Sequence, residues 1–145
     1  MNSVASTCPV ARATDILGDR WCLLIVRDAF DGVRRFGDFQ RSLGIARNIL
    51  SDRLRKLLDA EILQLQDAAD GSSYQEYRLT RKGEDLFVLI VALRQWGEQY
   101  LFEPHEARSV LLETASGQAL AALQCSNLHG KVIQAADTQV IKPAQ

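Results

Sequence analysis

The spacing of apolar positions changes several times along the chain, and each change marks an element. Behind Pro9, which suits the first position of a helix, Val10, Ala13, Ile16 and Leu17 recur at helical spacing until Gly18 interrupts them. Asp19 then offers a capping side chain to WCLLIVRDAF, whose dense apolar content predicts a buried helix ended by Asp31 and Gly32. In FGDFQRSLG, Phe36, Phe39 and Leu43 share one side of a short third helix closed by Gly44. A fourth helix follows within a few residues. Its Leu50, Leu54, Leu57 and Leu58 form a stripe about 100° wide, while Asn48, Asp52, Arg55 and Lys56 project from the opposite side and Ser51 sits on the border.

The period then shortens to two. Residues 62–66, ILQLQ, alternate apolar and polar, ADGSS is rich in turn formers, and YQEYRL resumes with strand-favouring tyrosines, which predicts a hairpin. Thr80 is a cap for a long helix over about 81–101, despite Gly83 in its first turn, and the centre of that helix is apolar on every side. Beyond Pro104 come short, partly β-branched runs, SVLLET, QALAALQC, KVIQ and TQVIK, separated by Ser-Gly and His-Gly turn signals. They predict a short strand-rich tail, although QALAALQC suits a short helix equally. The chain thus divides into residues 1–103, mainly α with a small β-wing and a long last helix, and an extension over 104–145.

At 145 residues and 47% hydrophobic, the chain supports one core and is too short for two ordinary domains. Its longest apolar run, LFVLIVAL at 86–93, falls well short of the roughly 20 residues that span a membrane. The opening MNSVASTCPVARATD lacks the basic start and apolar stretch of a secretory signal, and Cys8, Cys22 and Cys125 are an odd number without close pairing. Both features predict a cytoplasmic protein.

Charge changes the picture more than composition does. Residues 34–56 carry seven cations, Arg34, Arg35, Arg41, Arg47, Arg53, Arg55 and Lys56, against Asp38 and Asp52, a local balance of +5 in a chain whose formal charge is -1. A polyanion would meet one favourable face and an unfavourable remainder, which suits oriented docking better than general stickiness. The plain alternative is a solvated helix surface. Two short helices joined by a tight turn and followed by a hairpin are, however, the parts of a winged helix-turn-helix, whose second helix enters the major groove. Arg donates two hydrogen bonds to guanine, Asn bonds adenine bidentately, and Ser or Lys holds phosphate. Arg47, Asn48, Ser51, Arg55 and Lys56 therefore form the expected DNA-reading set, with Arg35 and Gln40 on the approach.

Other chemistries find less support. His105, Cys125 and His129 are too scattered for a metal site, which typically recruits four ligands in recognisable pairs, and no cofactor is expected. There is no Gly-rich phosphate loop, nucleophile elbow or HExxH pattern, so an enzyme is not expected. Trp21 and Trp96, set among Leu and Val, read as packing residues rather than a ligand platform. The all-round apolar LFVLIVAL must be enclosed or meet a partner, and a second protomer would also supply a second groove-reading helix. A homodimer through Val10, Leu86, Ile90, Leu93 and Trp96 is the expectation. The rival from another class is a winged-helix protein-interaction module without DNA binding, which the acidic total charge favours.

The residues also carry a family resemblance. CPVARATDILGDRW, LLIVRDAFDGVRRFGDFQRSLGIARNILSDRLRKL, EYRLTRKGEDL and LRQW occur in order from Cys8 to Trp96, and the chain resembles HxlR-type winged helix-turn-helix transcriptional regulators, a group related to MarR-like repressors. The resemblance implies a homodimer paired through its first and last helices, two recognition helices on a pseudo-palindromic operator, a wing near the minor groove, and a small-molecule or oxidant effector in some members. Family wings commonly carry basic residues and a proline, whereas this one reads QDAADGSSYQEY with Asp67 and Asp70 near its tip, so the wing is left out of the DNA-contacting set. Cys8 precedes Pro9 and so falls at the cap of the first helix, where the dipole favours a thiolate. It is the candidate redox sensor, as the resemblance also suggests, with a structural cap as the ordinary alternative. Cys22, among Trp21, Leu23 and Leu24, reads as an inert core residue.

Overall fold

The computed structural model describes residues 6–144; the first five residues of the N-terminal stretch discussed above, and residue 145, lie outside it. Six helices and one hairpin follow in the order α1 (Pro9–Leu17), α2 (Arg20–Phe30), α3 (Phe36–Leu43), α4 (Arg47–Asp59), β1 (Leu63–Asp67), β2 (Gln75–Leu79), α5 (Arg81–Glu84) and α6 (Phe87–Tyr100). Two compact units divide the chain within α6, residues 1–90 and 91–145.

In the first unit the apolar stripes read from the sequence meet. Cys22, Ile25, Val26 and Ala29 of α2, Phe39 of α3, and Leu50, Leu54 and Leu57 of α4 close one core with Ile62 and Leu63 at the start of the hairpin. Each buried Val, Leu, Ile or Phe among them contributes on the order of 1.5–3 kcal/mol by leaving water. Capping fixes where the helices begin. The Asp19 carboxylate accepts from the backbone N–H of Trp21 at 2.6 Å and of Cys22 at 3.2 Å, satisfying two orphan donors of α2. Gly44 ends α3 at φ 60°, a left-handed conformation that costs glycine nothing, and its N–H bonds to the Gln40 carbonyl at 2.9 Å.

β1 and β2 pair antiparallel with Leu63 opposite Leu79 and Leu65 opposite Tyr77. The chain before α3 adds to this ribbon, because the Tyr77 N–H donates to the Arg34 carbonyl at 2.8 Å. Tyr77 also meets Phe39 edge-on at 6.2 Å between ring centroids, so the base of the wing is packed on α3.

The long helix expected over 81–101 is broken. Thr80 caps its first turn, accepting from the Gly83 N–H at 3.0 Å, but α5 ends at Glu84 and α6 begins only at Phe87. The reason lies across the hairpin: the Thr80 hydroxyl donates to the Glu61 carbonyl at 2.6 Å, and a Cβ on Gly83 would stand 2.3 Å from the Ile62 carbonyl oxygen. The turn is held against the hairpin strand by these contacts, and the helix restarts beyond it. Leu86 and Ile90 pack on the core, and Phe87 meets Phe30 edge-on at 5.4 Å.

The second unit is built differently. Its pairing is confined to two isolated antiparallel bridges, Leu112 with Ala119 and Ser126 with Val132, and a 3-10 turn at Ala135–Asp137. QALAALQC is not helical. Side chains of α6 hold the tail by its backbone: the Gln95 amide donates to the Ala121 carbonyl at 3.0 Å and accepts from the Leu123 N–H at 2.8 Å, while Arg94 reaches the Ser109 hydroxyl at 3.0 Å. Among the described residues of this unit, Val91 alone is buried.

Candidate nucleic-acid interface

The leucine stripe of α4 is spent entirely on the core, with Leu50, Leu54 and Leu57 buried. Rotation at 3.6 residues per turn therefore commits Arg47, Asn48, Ser51 and Arg55 to the outer side, and all four are exposed. They form one row along successive turns. Lys56, a turn beyond Asp52, is half-buried. The N-terminal end of α4 carries no side-chain cap on Ala46, leaving its first backbone N–H groups available to an acceptor.

The seven cations counted in residues 34–56 turn out to have different duties. Arg34 donates to the Ala29 carbonyl at 2.7 Å and to the Val33 carbonyl at 3.1 Å, bracing the α2–α3 connection. Arg41 pairs with Asp38 one turn earlier in α3. Arg53 is half-buried and bridges Asp19 and Asp52, each at 2.6 Å. Among the described residues, Arg47, Arg55 and Lys56 have no carboxylate partner. With Arg34 turned to backbone carbonyls, these three cations on one helix are the part of the patch left to the surface.

Asp19 carries two of these assignments. It caps α2 and holds Arg53 of α4 at once, and although burial raises its pKa, the Arg53 hydrogen bond and the Trp21 and Cys22 N–H groups outweigh that and leave it below the ordinary 3.8. The same two carboxylates, Asp19 foremost, raise the Arg53 guanidinium further above its ordinary value. Burial pushes the Cys22 thiol up, as its place in the core requires.

Of the approach residues, Gln40 is half-buried, with its amide 3.5 Å from the Ile45 carbonyl at the α3–α4 turn. Arg35 reaches the wing: its guanidinium donates to Asp70 at 2.7 Å and stands 5.1 Å from the Tyr74 ring centroid. Asp70 also accepts from the Ser72 N–H at 2.9 Å. The Ser72 backbone and hydroxyl, followed by Arg35, bring its carboxyl down to about 2. The acid at the wing tip therefore has its counter-charge within the chain. Arg47 lies over Phe36 at 4.8 Å, which steadies the first residue of the row against α3.

Three assignments were missed from sequence: Asp19 with Arg53, Arg35 with Asp70, and Arg47 over Phe36. The first two join residues more than thirty positions apart, and no local pattern marks them. Of the dimer set, Val10, Leu93 and Trp96 are exposed, whereas Leu86 and Ile90 lean on the core; the exposed Phe87, Val88 and Leu89 were not singled out. Cys8 is the N-cap residue of α1, exposed, and its side chain makes no capping hydrogen bond. His105, Cys125 and His129 are exposed, and among the described residues no three metal-ligating side chains come together. No helix of the described residues is long and apolar enough to cross a membrane.

Comparison with known proteins gives this geometry a family. An HTH-type transcriptional regulator of Mycobacterium tuberculosis is 50% identical over 95 residues, a match that covers 66% of this chain and 60% of the relative's length. The crystal structure of PA1607, described as a candidate transcription factor, superposes with a TM-score of 0.93 at 48% identity, over 99% of this chain and 100% of that one. The regulator YodB of Bacillus subtilis, in its reduced form, gives a TM-score of 0.56 at 30% identity over 65% of this chain and 94% of its own, and it has also been solved diamide-treated and quinone-bound. The HxlR-like helix-turn-helix family matches residues 16–105, more than half of the sequence and all of the elements that place the α4 row, and the chain belongs to that family.

Proposed function

We propose that this protein is a sequence-specific, DNA-binding transcriptional regulator that inserts α4 into the major groove. The observation that carries the reading is the exposed row Arg47, Asn48, Ser51 and Arg55, whose two arginines lack a carboxylate partner while neighbouring Arg53 and Arg41 are neutralised. Asn48 and Arg55 are the base readers, on adenine and guanine edges, and Ser51 and Lys56 hold phosphate. Arg47 extends the row at its N-terminal end, where the free backbone donors of α4 add a further phosphate contact. Gln40 supports the turn. Arg35 acts through the wing, by holding Asp70 away from phosphate.

A homodimer sets two such helices on a pseudo-palindromic operator. Val10 of α1 and the exposed apolar side chains Phe87, Val88, Leu93 and Trp96 of α6 are available for its contacts, while Leu86 and Ile90 pack on the core. The protein acts in the cytoplasm and is not an enzyme. Its effector is an oxidant or electrophile received at Cys8, a reading supported by the exposed N-cap position and by the diamide-treated and quinone-bound forms of the relative YodB.

Selection of bound fragments from genomic DNA tests the central claim, with an enriched palindrome expected. A protein that prefers no fragment over random DNA would instead be a winged-helix interaction module. Cys8 is tested separately: DNA release by diamide should be lost in Cys8→Ser, and equal sensitivity in both proteins removes Cys8 as the sensor.

A further inference from the structure

Between the second half of α6 and the tail lies a cleft that no role described so far uses. Ala92, Gln95, Trp96 and Gln99 line it at i, i+3, i+4 and i+7, so they share one side of the helix. Leu120, Ala122 and Leu123 line it from the tail, and Glu98 and Arg108 complete the lining. Its volume is about 580 Å³, within the range of about 300–1,000 Å³ usual for small-molecule sites. The Gln95 amide fixes the tail there, donating to the Ala121 carbonyl at 3.0 Å and accepting from the Leu123 N–H at 2.8 Å. The HxlR-like match ends at residue 105, before Arg108 and the 120–123 segment, so half of the cleft lies outside what that family shares.

The charges in this lining are unusual. Arg108 donates to the Glu98 backbone carbonyl at 3.2 Å and lies 5.7 Å from the Phe102 ring centroid, yet among the described residues it has no carboxylate partner. The Glu98 carboxylate likewise has no cation. Two opposite charges therefore border one cleft without pairing with each other or with the rest of the described chain. Beside them, Gln99 spends its amide N–H on the Tyr100 hydroxyl at 3.2 Å and keeps its carbonyl oxygen as an acceptor.

We propose that this cleft binds a free α-amino acid with a large apolar side chain. Arg108 takes the carboxylate with its remaining donors, Glu98 and the Gln99 carbonyl take the ammonium group, and Trp96, Leu120 and Leu123 take the side chain. A carboxylate without the amine would meet Glu98 uncompensated, and an amine without the carboxylate would meet Arg108. A zwitterion with an apolar body leaves neither charge unpaired. The site involves neither α4 nor Cys8, so it stands apart from the reading of DNA. Trp96 is shared with the dimer surface proposed above, which couples occupancy of the cleft to pairing.

Isothermal titration calorimetry on the full chain, without DNA, provides the test. The probes are L-phenylalanine and L-leucine, each beside its counterparts lacking one charge: 3-phenylpropanoate and phenethylamine, 4-methylpentanoate and isopentylamine. Saturable binding of at least one of the amino acids is expected, with both of its one-charge counterparts weaker by about tenfold or more. Arg108→Ala and Glu98→Gln should each weaken the amino acid by a similar factor with circular dichroism unchanged, whereas Lys131→Ala, a tail cation outside the cleft, should bind as wild type does. If Arg108→Ala fails to fold, the counterpart series and Glu98→Gln decide, since both leave Arg108 in place. No saturable binding of either amino acid overturns the proposal. So does a one-charge counterpart that binds as tightly as its amino acid, wild-type affinity in the folded cleft variants, or an equal loss in Lys131→Ala.

Discussion

Residues 6–90 and residues 91–144 use similar apolar residues to opposite ends. In the first region Leu50, Leu54 and Leu57 are fully enclosed, and the stripes of α2, α3 and α4 face one another. In the second, Leu112, Leu120, Leu123 and Leu128 face solvent, and order comes from backbone hydrogen bonds to Gln95 and Arg94. Local hydrogen bonding can define a path, but it does not replace a core: a hydrogen bond exchanged with water contributes about 1 kcal/mol net, against on the order of 2–5 for a buried Leu. The first region closes a core of its own and the second does not.

The sharpest break of this comparison is at Phe39. Phe39→Ala should cost about 3–5 kcal/mol in urea unfolding followed by helical circular dichroism, because the ring is fully enclosed and α2, α3 and the wing close around the space it leaves. Leu128→Ala, at concentrations where the chain is monomeric, should change the same midpoint by less than about 0.5 kcal/mol. A large effect at Leu128 in the monomer would erase the distinction between the regions.

Next in size are the recognition variants, which ask whether function follows the same division. Asn48→Ala or Arg55→Ala should each cost about 1–3 kcal/mol in operator binding and relax discrimination at one base pair. Lys56→Ala should weaken all sequences alike and lower the salt slope by about one. Gel-shift titrations at two salt concentrations separate these, and Lys131→Ala with Lys142→Ala in the tail should leave both quantities unchanged.

Within the first region, Asp19→Ala should destabilise by about 1–2 kcal/mol, read as a shifted thermal midpoint, since it removes a helix cap and the partner of half-buried Arg53 together. The smallest effect belongs to the wing. Asp70 has a pKa lowered to about 2, so its tie is complete above the ordinary carboxylate value of 3.8 and is lost as pH falls through about 2. Carboxyl carbon shifts in NMR should report that midpoint. In Arg35→Ala it should rise only part of the way towards 3.8, because the Ser72 N–H and hydroxyl bonds remain.

What the sequence revealed follows the same physics. The α1–α4 pattern, the Asp19 and Thr80 caps, the αL Gly44 and the hairpin were legible because periodicity and capping are local, written within a turn or two of each element. The break between α5 and α6 was not, since the contact responsible is between Gly83 and a carbonyl more than twenty residues away. Charge was legible as a total and illegible as a distribution: Arg41, Arg53 and Arg55 look alike in sequence, and only the pairing with Asp38 and Asp19 tells which one is left for a ligand. An all-round apolar helix does not declare in its sequence which side its own core takes, and here Leu86 and Ile90 pack against it.

The bridge from Asp19 to Arg53 also sets an angular tolerance. Arg53 lies six residues from Arg47, about 9 Å along the axis of α4, so a tilt of 10° about that anchor would swing the leading residue of the row by about 1.6 Å. Bidentate contacts to a base edge survive displacements of only a few tenths of an ångström, whereas a flexible lysine on a phosphate follows a moving target with little loss. One carboxylate on a neighbouring helix thus acts as a bearing for a lever, and slack in it would blur the discrimination between operators well before it loosened the grip on DNA as such.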